Sequence, residues 1–124
     1  MKFLKCNHCG NVAGLVVNAG APIKCCGEAM KELAANTTDA AVEKHVPAVS
    51  VEGGKIYVKV GTAEHPMLPA HKIDFIYIES EQGGQRKGLK PEQKPEAEFA
   101  LASGDKLTAV YAYCNLHGLW KAAV

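Results

Sequence analysis

The sequence predicts a mainly β protein in two parts: a small cysteine-rich metal-binding segment, then an antiparallel β-sandwich. Three observations carry this expectation. Four of the five cysteines (Cys6, Cys9, Cys25 and Cys26) fall within the first 26 residues. From Thr38 onward, roughly six or seven short runs rich in β-branched and aromatic residues follow one another with turn residues between them. Helix signals are thin along the whole chain.

The segment up to about Asn36 has too few large apolar residues for a core of its own, and chains that short usually need a metal, disulfides or a partner. Residues 34–38, Ala-Ala-Asn-Thr-Thr, read as the joint to the rest. Thr38 to Glu43 predicts one or two capped helical turns before Pro47. Val49-Ser50-Val51, Gly53-Gly54 and Ile56 to Val60 form a hairpin pattern. Ile73 to Glu79 is a strand ending near Gly83-Gly84. Gln82 to Lys94 is polar, basic and punctuated by Gly and Pro, which predicts an exposed loop. Glu96 and Glu98 alternate with Ala97 and Phe99 in a further strand that leads to a Ser103-Gly104-Asp105 turn. Leu107 to Cys114 and Leu119 to Lys121 complete the set.

Composition excludes several classes. Hydrophobic residues make up 48% and charged residues 22%, a globular and not a disordered balance. Lys+Arg is 14 against Asp+Glu 13, a formal net charge of +1, so no basic excess points to nucleic acid or to an anionic membrane. Met1 to Cys6 contains no apolar h-region, and Val12 to Val17 is too short to span a bilayer. The expectation is a cytoplasmic protein, where grouped cysteines serve as metal ligands or redox groups more often than as disulfides.

Cys6-Asn7-His8-Cys9 is a C-x2-C knuckle, and Cys25-Cys26 follows it downstream. Four thiolates suit a tetrahedral site for Zn or Fe, as in a zinc ribbon or a rubredoxin-like centre, and spacing alone does not choose between the two metals. Adjacent cysteines do not ordinarily point the same way, so the tetrahedron is expected to be distorted. His8 reads as an exposed loop histidine, because four cysteines already complete the shell.

The remaining cysteine and four histidines form a second constellation. His45 precedes Val46-Pro47; His65 and His71 sit in a segment stiffened by Pro66 and Pro69; Cys114 ends a strand; His117 lies in the turn that follows. Together they suggest a Cys/His metal site. Five protein ligands leave one position open on an octahedral ion, an arrangement for binding a small ligand and moving an electron. An iron site of four histidines and one cysteine competes here with a blue-copper site, but the three methionines are Met1, Met30 and Met67, and none follows His117 as an axial copper ligand would.

Glu43-Lys44-His45-Val46-Pro47, Glu64-His65-Pro66-Met67, His71-Lys72-Ile73 and Cys114-Asn115-Leu116-His117-Gly118-Leu119-Trp120 resemble the motifs of the desulfoferrodoxins, the two-iron superoxide reductases. Cys6-x2-Cys9 followed by Cys25-Cys26-Gly27 resembles that family's amino-terminal desulforedoxin module. The resemblance spans essentially the whole chain. It implies a desulforedoxin-like four-cysteine iron domain over residues 1–36 and an immunoglobulin-like superoxide reductase iron domain over residues 37–124. It also implies equatorial ligation of a second iron by His45, His65, His71 and His117, with Cys114 axial. A homodimer that reduces superoxide with electrons from rubredoxin or a similar donor follows from the same resemblance.

Two further residues are implicated in that chemistry. Lys44, beside His45, places a cation where it can attract superoxide and orient a proton-delivering water. Glu43 matches the residue that becomes a sixth ligand in oxidised family members. Glu64 and Lys72 read as solvated neighbours of ligands. Competing classes are a non-catalytic iron electron carrier and a zinc-ribbon binding module joined to a sandwich. An electron carrier needs no open position, no Lys beside a ligand and no mobile Glu.

Overall fold

Alternation of apolar and polar residues becomes strand pairing along most of the chain in the computed structural model, which describes residues 1–124. Two compact units result, Met1–Ala34 and Ala35–Val124. No helix is long and apolar enough to cross a membrane.

The first unit is built from very short strands. β1 (Lys2–Lys5) pairs antiparallel with β2 (Val12–Leu15), and the knuckle that carries Cys6 and Cys9 lies between them. β3 (Lys24–Cys25) and β4 (Glu28–Ala29) make a minimal hairpin whose turn holds Cys26 and Gly27. β5 (Lys31–Glu32) returns to the free side of β1. Two-residue strands bury little apolar surface, so packing alone gives this unit little stability.

In the second unit a single helical turn, α1 (Val42–His45), precedes seven strands. β6 (Pro47–Glu52), β7 (Lys55–Val60) and β10 (Glu96–Ala100) form a sheet in the order β10-β7-β6. β8 (Ile73–Ser80), β9 (Gly83–Gly88), β11 (Leu107–Cys114) and β12 (Gly118–Ala123) form the other, in the order β12-β11-β8-β9. All pairings are antiparallel. This is an immunoglobulin-like sandwich of seven strands.

Ile56, Val58 and Val60 of β7 and Phe99 of β10 meet Ile73, Ile76 and Ile78 of β8 and Val110 and Ala112 of β11 in one core. Period-two spacing places these residues on inner faces, except that Ile73 lies three residues before Ile76 and joins the core through the register shift where β8 pairs with Cys114. Cys114 belongs to the same core and is 0% exposed, so the last cysteine is held in rigid surroundings at one end of the sandwich.

Two local expectations are corrected. The helix starts later than Thr38 and is one turn long; Ala41 is its N-cap residue and supplies no side-chain cap bond. It ends at Val46, which adopts φ −68° and ψ 123° because the following proline disfavours helical backbone. The stretch from Gln82 to Lys94 is not all loop, since Gly83–Gly88 pairs with β8 along its length. All six residues of β9 are exposed, so no apolar alternation betrays the strand in sequence. Gly84 is required there: a Cβ would lie 1.8 Å from the Tyr77 hydroxyl, whose ring covers the glycine.

At the start of this unit Asn36 takes a left-handed conformation, φ 61°. Its side chain donates to the Lys121 carbonyl at 3.0 Å and accepts from the Lys121 N–H at 2.8 Å, which fastens the entering chain to β12.

Candidate metal centres

The cysteine knuckles converge in the first unit. The Sγ atoms of Cys6, Cys9, Cys25 and Cys26 all lie within 4.8 Å of one another. Cys9 Sγ is 3.6 Å from Cys25 Sγ, and Cys25 Sγ is 4.0 Å from Cys26 Sγ. These separations exclude disulfides, whose sulfurs sit about 2.05 Å apart, and all five cysteines are free. They do fit a metal, because a tetrahedron with metal–sulfur bonds of about 2.3 Å has edges of about 3.8 Å.

Adjacent cysteines share this site through backbone geometry. Residues in an extended strand point to opposite sides. Cys26 escapes that rule with φ +53°, and Gly27 follows at φ +77°. The distortion expected of the metal tetrahedron is thus taken up in part by the chain, at a left-handed cysteine.

Electrostatics call for a cation here. The Cys9 and His8 backbone N–H groups hold the Cys6 thiol down at about 6, while hydrogen bonding from the Cys9 and Cys6 sulfurs pushes Cys26 up to about 12. Four thiols this close do not all ionise unless a positive ion shares them. His8 is exposed and pairs with Glu28 across the two knuckles.

The second constellation closes at one end of the sandwich. Ring centroids are 4.8 Å apart for His45–His65, 4.7 Å for His65–His71, 5.1 Å for His71–His117 and 4.9 Å for His117–His45. Successive planes meet at 77°, 81°, 79° and 87°. The four imidazoles therefore form a closed cycle, each edge-on to the next. Cys114 Sγ lies within 4.8 Å of the ligand atoms of His45, His65 and His71, and 3.8 Å from His117 Nδ1.

Tautomers are set by neighbouring carbonyls. His45 Nδ1–H donates to the Ala41 carbonyl at 2.7 Å, and His65 Nδ1–H donates to the Pro66 carbonyl at 2.7 Å. Each bond leaves an Nε2 lone pair aimed into the cycle. His45 Nε2 is 3.1 Å from His117 Nδ1, close to the edge of about 3.0 Å expected for nitrogens about 2.1 Å from a shared ion. His65 Nε2 and His71 Nε2 are buried with no hydrogen-bond partner. Orphaned atoms of this kind cost about 1–3 kcal/mol each, which a metal would remove. Burial also lowers the pKa of His45 and His71 and takes His65 to about 4, so these rings stay neutral, the form that binds metal.

The scaffold explains the convergence. α1 delivers His45 and presents Glu43 and Lys44, both exposed. This turn is pinned from behind: the Glu43 carbonyl accepts from Ala63 N–H at 2.8 Å and from the Thr62 hydroxyl at 3.3 Å. A Cβ on Gly61 would lie 2.6 Å from that carbonyl, so only glycine fits beneath it. Trp120 stacks on His45 at 4.9 Å and donates its indole N–H to the His117 carbonyl at 3.0 Å. The Met67 sulfur accepts the Ile73 N–H at 3.3 Å, which ties the loop of His65 and His71 to β8.

The nine candidate ligands thus fall into two groups of four and five. Glu43 and Lys44 stand beside the second group, near enough that their charges act on His45. Lys72 is not simply solvated as expected, since its ammonium pairs with Asp74 at 3.0 Å. Sequence reasoning missed the supporting roles of Met67, Asn115 and Gly61. For Asn115 the available signal was its place between two candidate ligands.

Comparison with known proteins agrees with this geometry. Residues 37–123 match the family model described as Desulfoferrodoxin. A desulfoferrodoxin homolog from Archaeoglobus fulgidus is 44% identical over 122 residues, covering 98% of this chain and 96% of the relative. A desulfoferrodoxin from Clostridium acetobutylicum is 45% identical over 116 residues, covering 93% and 90%. Among solved structures, the superoxide reductase from Treponema pallidum superposes with a TM-score of 0.81 at 37% identity, covering 96% of this chain and 98% of that one.

Proposed function

The chain belongs to the desulfoferrodoxin family, and from that premise we infer that it is a superoxide reductase with two mononuclear iron sites. The observation that carries this is the closed cycle of four imidazoles with the Cys114 thiol beside it. Cys6, Cys9, Cys25 and Cys26 would hold one iron; His45, His65, His71, His117 and Cys114 would hold the other. Iron held there would supply a single electron, so that one superoxide, one electron and two protons give one hydrogen peroxide.

The chain's own residues do the rest. Neutral imidazoles, fixed by carbonyl bonds at His45 and His65, present lone pairs without first losing a proton. Cys114 would contribute a negative charge from the protein core once a metal cation shares it; burial raises its pKa, while the Leu116 and His117 N–H groups favour the thiolate. Lys44 adds a local positive charge that acts on both His45 and His71, and it would draw the anion in and hold a proton-delivering water. Glu43, the neighbouring carboxylate, would offer an additional oxygen donor to the metal in the oxidised enzyme. Glu43→Ala should then change the ferric absorption spectrum, and an unchanged spectrum removes this role.

We read the four-cysteine iron as an electron relay fed by a rubredoxin-like donor, and the protein as a cytoplasmic homodimer. Five free cysteines suit a reducing compartment; the dimer and the donor rest on family resemblance. Product stoichiometry tests the activity. With an electron donor supplied, each superoxide should yield one hydrogen peroxide and no dioxygen. Release of dioxygen, with one peroxide per two superoxide, would identify a dismutase instead.

A further inference from the structure

Two of the four imidazoles are oriented by hydrogen bonds from their own rings: His45 to the Ala41 carbonyl and His65 to the Pro66 carbonyl. His117 has its carbonyl held by the Trp120 indole, and its N–H donates to Cys114 Sγ at 3.4 Å. His71 is different. Its ring makes no hydrogen bond to the protein, and its Nε2 is buried without a partner. Apart from its edge-on contacts with the His65 and His117 rings, its placement depends on its backbone.

That backbone is gripped on both sides by one residue. Asn115 Oδ1 accepts the Lys72 N–H at 2.9 Å, and Asn115 Nδ2 donates to the Ala70 carbonyl at 3.0 Å. The Asn115 N–H donates to the Lys72 carbonyl at 3.1 Å. One side-chain amide thus spans the residues before and after His71, using a donor and an acceptor that only an amide of this length offers together. Asn115 also directly follows Cys114 and precedes His117 by two positions. The chain segment carrying the thiolate is bolted to the segment carrying His71.

We propose that Asn115 is a positioning residue that sets His71 against Cys114 and His117, and so tunes the metal site from outside its ligand shell. The inference rests on the ligand assignment above. Losing an outer partner bonded to a ligand's own ring weakens metal binding by about 10–100-fold, and a partner that acts through the ligand's flanking backbone is expected at the lower end of that range.

The test uses the full chain loaded with ferrous iron, as wild type, Asn115→Ala and Asn115→Gln, the last keeping the amide but adding one methylene. Iron affinity of the histidine-rich site is read by competition with a chelator, and the thiolate-to-ferric charge-transfer band is recorded after oxidation. Thermal unfolding of the metal-free chains checks the fold. Expected are a loss of affinity of about 10-fold or more in Asn115→Ala and a displaced band in both variants, even where the metal-free melting temperature is unchanged. If Asn115→Ala does not fold, Asn115→Gln decides alone. Affinity within about twofold of wild type with an unmoved band, in a folded variant, overturns the proposal. A wild-type protein with no such band overturns the ligand assignment itself, so the two failures are distinguishable.

Discussion

Cys114→Ser should abolish turnover with superoxide while leaving the sandwich folded. Serine matches cysteine in shape, and its hydroxyl can take over the His117 N–H that now points at the sulfur. The core around Ile73 and Ala112 therefore keeps its packing. What is lost is charge. A thiol next to a metal cation ionises readily, but a serine hydroxyl does not. Without that negative charge, the site would lose the electron-rich donor that favours giving up an electron. The loss should exceed the ~10–100-fold typical of removing an outer partner, since a direct ligand is removed. Rapid mixing with superoxide measures the rate, and the thiolate-to-ferric band should vanish with it. A serine variant with normal turnover would refute the role given to Cys114.

Lys44→Ala should slow the encounter with superoxide at low salt. The protein as a whole offers no steering, because its formal net charge is only +1. Any attraction must be local, and Lys44 is an exposed cation whose charge acts on His45 and His71. Favourable fields raise on-rates by about 10–10³-fold when many charges cooperate, so one lysine should account for several-fold to about 10-fold. Screening sets the signature. With a Debye length of about 10 Å at 0.1 M salt and about 3 Å at 1 M, wild type and variant should converge as salt rises. Lys44→Arg should retain most of the low-salt rate. Equal rates for wild type and Lys44→Ala at low salt would remove the steering role.

Much of this architecture is legible in sequence because its signals are local. The apolar alternation in Ile56 to Val60 and Glu96 to Ala100 marks half-buried strands directly; the first pairs in the expected hairpin, and the second proves to be a strand paired with β7. Ligand residues stand out because cysteines and histidines are few, and because they sit at strand ends and in turns. The misses have physical reasons. β9 is an exposed edge strand of glycines, Gln, Arg and Lys, held by backbone pairing and by the Tyr77 ring. No period-two pattern can arise where neither face is buried. Thr38 and Asp39 resemble caps and so suggest too early a start for helix α1, but the capping bond is not made. Asn115, Met67 and Gly61 support the site through contacts across sequence separations that no local pattern records. The geometry that lets Cys25 and Cys26 share one site lies in the left-handed backbone at Cys26, which sequence only hints at through Gly27.

Two separate donor sets, four sulfurs in one and four imidazoles with one thiol in the other, would each hold iron. Metal analysis combined with absorption spectra of the oxidised and reduced protein tests this assignment most directly. Two iron atoms per chain are expected, with one chromophore from the four-cysteine site and a separate thiolate-to-ferric band that disappears in Cys114→Ser. One zinc per chain and no visible chromophore would contradict it.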